Sequence, residues 1–95
     1  MAAYVIANVN VKDPALFEQY RKQVPETLAR HGGKFLVRGG QHETLEGGWT
    51  PSRLVVLEFP TIDQARRWYD CEEYREPKAL RMKSALTDLV IVEGV

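Results

Sequence analysis

The chain opens on strict alternation. In YVIANVNV (Tyr4–Val11), Val5, Ala7, Val9 and Val11 fall on one side and Tyr4, Ile6, Asn8 and Asn10 on the other. That predicts a strand with one apolar and one mixed face. The period then becomes helical: Phe17, Tyr20, Val24 and Leu28 recur at spacings of three and four, a buried stripe. Asp13 is placed to cap this helix and Pro14 suits its first position. Pro25, inside the stripe, predicts a kink or a tightened turn. Gly32–Gly33 predicts the stop, with Arg30 and His31 suited to the negative helix end.

KFLVRGG predicts a second strand, with Phe35 and Val37 opposed to Leu36 and Arg38. HETLE extends it beyond a bulge at Gly39–Gly40, and EGGWTP is a turn. RLVVLEF is apolar enough for a central strand, with Glu58 on the face of Leu54 and Val56. In PTIDQARRWYD, Thr61 and Gln64 match a capping box at the start of a second helix, whose buried stripe is Ile62, Ala65 and Trp68/Tyr69. After Cys71 the pattern loosens, and Pro77 starts a short helix reaching Ala85. TDLVIVEG is the fourth strand. The order is β-α-β-β-α-β, the ferredoxin-like split arrangement. This α+β fold has a four-stranded antiparallel sheet with helices on one face. Its other face is left bare, and an apolar sheet face needs a cover. A homodimer that joins two such faces is the expected assembly.

Composition narrows the partners. Ninety-five residues make one domain, residues 1–95, and a core that removes roughly 60–65% of the unfolded surface from water. Thirteen basic and thirteen acidic residues cancel, with no block of like charge, so no nucleic acid and no anionic membrane is expected as partner. There is no charged-then-apolar leader, and no apolar run nears the roughly 18 residues of a membrane span. The single cysteine cannot form an internal disulfide. A soluble, cytoplasmic protein is expected.

Few residues carry candidate chemistry. His31 and His42 stand at no metal-ligand spacing, so no metal is expected. Cys71 lies among Asp70, Glu72 and Glu73, carboxylates that raise a thiol's pKa, and reads as buried filler. The glycine pairs match no phosphate loop. Glu58, on a central strand, is either a desolvated acid–base group or a strand-end residue that pairs with an arginine. Arg38, on the sheet face away from the helices, meets either an anion or Glu58. Tyr74, Lys78 and Arg81 share a helix face that could hold a carboxylate or enolate. Lys78 fits an outer face better, and Arg81 could instead pair with Glu73 or Glu76. Trp68 and Tyr69 read as core or pocket wall.

The segments YVIANVNVKDP, YRKQVPETLARHGGKFLVRGG, LEGGW, LVVLEFPTIDQARRWYDCEEY, ALR and IVEG together resemble the domain-of-unknown-function family DUF1330, over nearly the whole chain. That family is similar to the dimeric α/β-barrel superfamily, in which two ferredoxin-like sheets join across a dimer. The resemblance implies relatives among cofactor-free monooxygenases, muconolactone isomerases, haem-degrading enzymes and stress-responsive proteins. Fold does not choose among them. Tyr20, Arg38, Gly39, Gly40, Trp68, Tyr69, Tyr74 and Arg81 match the family pattern. Cys71 departs from it, standing where a small hydroxyl residue is usual. The expectation is a pocket between sheet and helices that takes a small anionic carbonyl compound, without metal or organic cofactor. Arg38 and Arg81 bind the charge, and Tyr20, Tyr69 and Tyr74 line or orient. Glu58 or Asn8 supplies the proton-handling or hydrogen-bonding group. The alternative is a non-catalytic ligand-binding or stress-associated dimer with the same pocket.

Overall fold

The computed structural model describes residues 1–95. The elements in chain order are β1 (Ala3–Val11), α1 (Pro14–Ala29), β2 (Lys34–Arg38), β3 (Leu54–Phe59), α2 (Ile62–Asp70), α3 (Glu72–Ser84) and β4 (Ala85–Glu93). The four strands form one antiparallel sheet in the order β2-β3-β1-β4. Val5, Ala7 and Val9 of β1 are buried beneath the helices, as their alternation predicts. They share the core with Phe17, Val24 and Leu28 of α1, Leu57 and Phe59 of β3, and Ala65 and Trp68 of α2. No helix is long and apolar enough to cross a membrane.

Local chemistry sets the element ends. Asp13 accepts a hydrogen bond from the Leu16 amide at 3.1 Å and caps α1, with Pro14 in the first turn. Thr61 accepts from the Gln64 amide at 3.1 Å. The predicted capping box is only half formed, because the Gln64 side chain turns away and donates to the His31 carbonyl at 3.2 Å. This tie holds the end of α1 against the start of α2. Gly33 lets β2 start close to the core: a Cβ there would lie 2.6 Å from the Phe59 ring.

Three expectations are corrected. The helix expected from Pro77 starts at Glu72, so the order is β-α-β-β-α-α-β, and Cys71 is the break between two helices. HETLE is not a strand: residues 39–53 form a loop. The bulge lies at Leu36 rather than at the glycine pair, since Phe35 opposes Leu57 while Val37 opposes Val56. One extra residue reverses the alternation beyond it. Val37 therefore faces away from the helices, and Arg38, opposite Val55, faces toward them.

Candidate functional site

Between α1 and the sheet lies a cavity of about 50 Å³. Its walls are apolar: Val5, Ala7 and Val9 of β1, Val55 and Leu57 of β3, and Val24 of α1. Phe17 and Tyr20 roof it, their ring centroids 5.4 Å apart. The other lining side chains with charge are four arginines, Arg21, Arg38, Arg53 and Arg81, and no aspartate, glutamate, histidine or lysine borders the cavity.

The closed end is built by α3. Tyr74 is fully buried and packs on Trp68 with centroids 4.1 Å apart. Trp68 is fixed in turn, since its indole N–H donates to Thr27 Oγ1 at 3.0 Å and Thr27 donates to the Val24 carbonyl at 2.7 Å. The Tyr74 and Tyr20 hydroxyls share a hydrogen bond of 2.9 Å. One helical turn beyond Lys78, Arg81 is only 5% exposed, and its Nε has no hydrogen-bond partner. No carboxylate reaches it, and every ion pair in the molecule involves other residues. The alternative pairing with Glu73 or Glu76 is thereby overturned. Burial is the largest single influence on Arg81 and opposes its charge. The phenols of Tyr74, Tyr20 and Tyr69 together more than offset it, so the guanidinium titrates above its ordinary value. Burial pushes the Tyr20 phenol well above its usual range, helped by Tyr74 and opposed by Arg81. At neutral pH the closed end thus presents the Arg81 cation and the neutral Tyr20 hydroxyl in an apolar setting.

The open end carries the other three arginines. Pro25 has no amide hydrogen to give the Arg21 carbonyl four residues back. Arg38 takes that role, donating through Nη2 at 3.2 Å, while its guanidinium lies over the Phe35 ring at 4.3 Å. Arg53 stands 5.9 Å from the Phe17 ring and passes over Gly39, where a Cβ would come within 2.4 Å of Arg53 Nη1. The backbone at Gly39 is also left-handed (φ +71°), so glycine answers both demands. Arg21 pairs with Glu18 at 3.1 Å, yet the Nε atoms of Arg21 and Arg53 are buried without partners. Burial lowers the Arg53 pKa, and the charges of Arg21 and Arg38 lower it further, against a small opposing effect of Glu18. The rim is a concentration of positive charge with one carboxylate to balance it.

The structure brings together Tyr20, Arg38 and Arg81 in one cavity, with Tyr74 behind Tyr20. Tyr69 touches Tyr74 (centroids 6.2 Å apart) but faces a wider groove of about 620 Å³ beside β4, of which Arg81 is also a wall. Asn8 is not in the cavity. It lies on the far sheet face and accepts from the amides of Ser52 (2.8 Å) and Arg53 (3.3 Å), tying down the residue that reaches the rim. Glu58 also lies on the far face, paired with Lys34 at 3.2 Å, and the alternative pairing of Arg38 with Glu58 does not occur. Lys78 donates to the Tyr69 carbonyl at 2.9 Å and so closes the end of α2. No three His, Cys, Asp or Glu side chains gather as a metal site. Arg21 and Arg53 are the residues that sequence reasoning missed. The one available signal was Pro25, which frees the Arg21 carbonyl and so calls for a donor there.

An apolar cavity ringed by guanidinium and phenol groups can hold an organic anion, or stabilise negative charge that develops on an enolate or oxyanion. It has no carboxylate, imidazole or amine positioned to take a proton from a bound molecule.

The fold is widely shared. RPA0582 of Rhodopseudomonas palustris, a protein of unknown function, superposes with a TM-score of 0.79 at 16% identity, over 99% of this chain and 82% of its own. SnoaB, a cofactor-independent oxygenase from Streptomyces nogalater, gives 0.68 at 14% identity, over 99% and 93%. A Caulobacter crescentus CB15 protein provisionally assigned as an antibiotic biosynthesis monooxygenase gives 0.69 at 14%, over 99% and 90%. At such identities the likeness is one of fold: a ferredoxin-like α+β arrangement with a four-stranded antiparallel sheet. No curated protein matches the chain. Residues 2–95 match the sequence profile described as "Domain of unknown function (DUF1330)", and the chain belongs to that family.

Proposed function

We propose that this protein binds a compact organic acid in the cavity between α1 and the sheet, with the anionic group drawn to Arg81 and Tyr20. The observation that carries this reading is Arg81 itself, a guanidinium almost wholly out of water, with no carboxylate partner, in the wall of an apolar cavity. A buried charge without a counter-ion is costly, and a bound anion would supply one. Size sets the ligand class. About 50 Å³ is a third of the roughly 150 Å³ apolar cavity that accepts benzene, so the enclosed part takes the head of a slender aliphatic acid rather than a ring, and a longer chain extends through the open end. A second copy of this chain is the proposed macromolecular partner, covering the sheet face opposite the helices.

A catalytic reading is favoured by one specific arrangement, the neutral Tyr20 hydroxyl and the Arg81 cation on the same wall. These could stabilise the enolate of a carbonyl acid. With no base bordering the cavity, turnover would be limited to substrates that lose a proton readily by themselves, and the protein would supply charge stabilisation and exclusion of water. Glu58 and Asn8, both on the far face, have no part in it.

The test is an NMR titration of the protein with short monocarboxylates and 2-oxo acids, repeated with Arg81→Met. Shifts confined to the α1–β1–α3 cavity and lost in the variant are the expected result. Equal binding by both proteins would end the proposal. Oxygen uptake or substrate loss in the same samples separates turnover from binding alone.

A further inference from the structure

The closed end, with Arg81, accounts for one acidic group. The rim holds three more guanidinium groups, which that group does not use. This inference rests on the binding function just proposed and deepens it. We infer that the ligand carries two acidic groups joined by a short aliphatic segment, one carboxylate at Arg81 and Tyr20 and the second among Arg21, Arg38 and Arg53.

Three observations support the second position. First, two of the rim arginines have contacts that position them. Arg38 is anchored on the Arg21 carbonyl at 3.2 Å and on the Phe35 ring at 4.3 Å. Arg53 is anchored by the bond from its amide to Asn8, 3.3 Å, and by its stacking over Gly39 and near Phe17. Pre-set guanidinium forks match the planar, bidentate geometry of a carboxylate. Second, the rim is short of negative charge. Glu18 is the one carboxylate there and is already engaged with Arg21, and the Nε atoms of Arg21 and Arg53 are buried without acceptors. Arginines so placed repel one another, and an anion between them relieves that repulsion as well as adding its own bonds. Third, the two positions share one cavity. The Phe17 and Tyr20 rings, 5.4 Å apart, link Arg53 at one end to Arg81 at the other. The enclosed part takes one carboxylate end, and the aliphatic segment leads out to the open rim, where the second carboxylate meets the three arginines.

The experiment compares matched acids at constant ionic strength: valerate with glutarate, then butyrate with succinate and hexanoate with adipate, by NMR titration. One diacid should bind at least about tenfold more tightly than its monoacid, equivalent to ~1.4 kcal/mol, with the gain peaking at one chain length. In Arg38→Gln/Arg53→Gln the gain of each diacid over its own monoacid should fall to within about twofold, the loss expected when charge-assisted hydrogen bonds are removed. Because the comparison in the unaltered protein needs no variant, a misfolded double variant leaves it intact, and Arg21→Gln offers a second probe of the rim. Equal affinity for every diacid and its monoacid overturns the inference. If the monoacids bind and depend on Arg81, that result leaves the proposed function standing; if monoacid binding does not depend on Arg81, both fall.

Discussion

At the scale of single residues, Arg81 sets function against stability. The neighbouring phenols hold its charge in place, but as neutral groups they do so by hydrogen bonding and not by a counter-charge. Burial then weighs against the cation. Arg81→Met keeps the volume and removes the charge. It should raise stability by about 1 kcal/mol or more, some 4–8 °C in melting temperature per kcal/mol for a domain of this size, while abolishing binding of organic acids. Thermal unfolding checks this, and a lower melting temperature would mean that the contacts of Arg81 with the tyrosines outweigh its desolvation. Tyr20 makes a separate prediction about pH. Its phenol is raised above the ordinary value near 10 by burial first and by Tyr74 second. In alkali the unfolded chain therefore releases this proton before the folded one does. Stability associated with Tyr20 is complete below pH 10 and is lost as pH rises beyond it, by up to about 1.4 kcal/mol per pH unit. Urea unfolding between pH 9 and pH 11 should show a shallower decline for Tyr20→Phe than for the unaltered protein, and an identical slope would show that the phenol is not held protonated by the fold.

At the scale of elements, the informative features are breaks in pattern. Cys71 sits at the N-cap of α3 with extended backbone (φ −73°, ψ 157°) but gives no side-chain cap. A hydroxyl there can accept from the first-turn amides where a thiol does so poorly. Cys71→Ser should stabilise the protein by about 0.5–1 kcal/mol, read as a rise in melting temperature; a fall would show that the half-buried thiol contributes more by packing than a cap can return. The regular elements were legible because their periods are local. The alternation from Val5 to Val9, the stripe from Phe17 to Leu28 and the caps at Asp13 and Thr61 all stand where sequence put them. Tyr20, Arg38 and Arg81, named from the sequence, line one cavity, though Arg38 was put on the wrong face. One unpaired residue, Leu36, reverses a strand's facing, and nothing in KFLVRGG marks which position is extra. Arg21 and Arg53 escaped for another reason. Their meeting depends on a loop of residues 39–53 returning to β1 through Asn8, a long-range event without a sequence period. Glu58 looked promising because its strand is central, yet its partner Lys34 arrives from the neighbouring strand by pairing register alone.

At the scale of the whole molecule, the chain is a slab of 36 × 34 × 17 Å with helices on one broad side only. The other side presents Ile6, Val37, Leu54, Val56, Leu86, Val90 and Val92, placed together by the pairing of the four strands. Leu86 is 65% exposed and Val90 58%. The accessible surface is 6198 Å², against about 5,600 Å² for a compact monomer of this mass. Such an excess suits a face that lacks its cover, and an apolar sheet face of this extent calls for a partner. The polar residues on it are few, Asn8, Asn10 and Asp88 and the Lys34–Glu58 ion pair at its β2–β3 side. The proposed second copy meets it by the same face, so that one substitution acts twice in the assembly. Val90→Glu then introduces two carboxylates into an apolar contact. The unaltered protein should sediment as a dimer at micromolar concentration and Val90→Glu as a monomer, with the circular dichroism of the subunit unchanged, since position 90 faces away from the core. A monomeric unaltered protein would refute the dimer, and a dimeric Val90→Glu would put the contact elsewhere, with the wide groove beside edge strand β4 the next surface to probe.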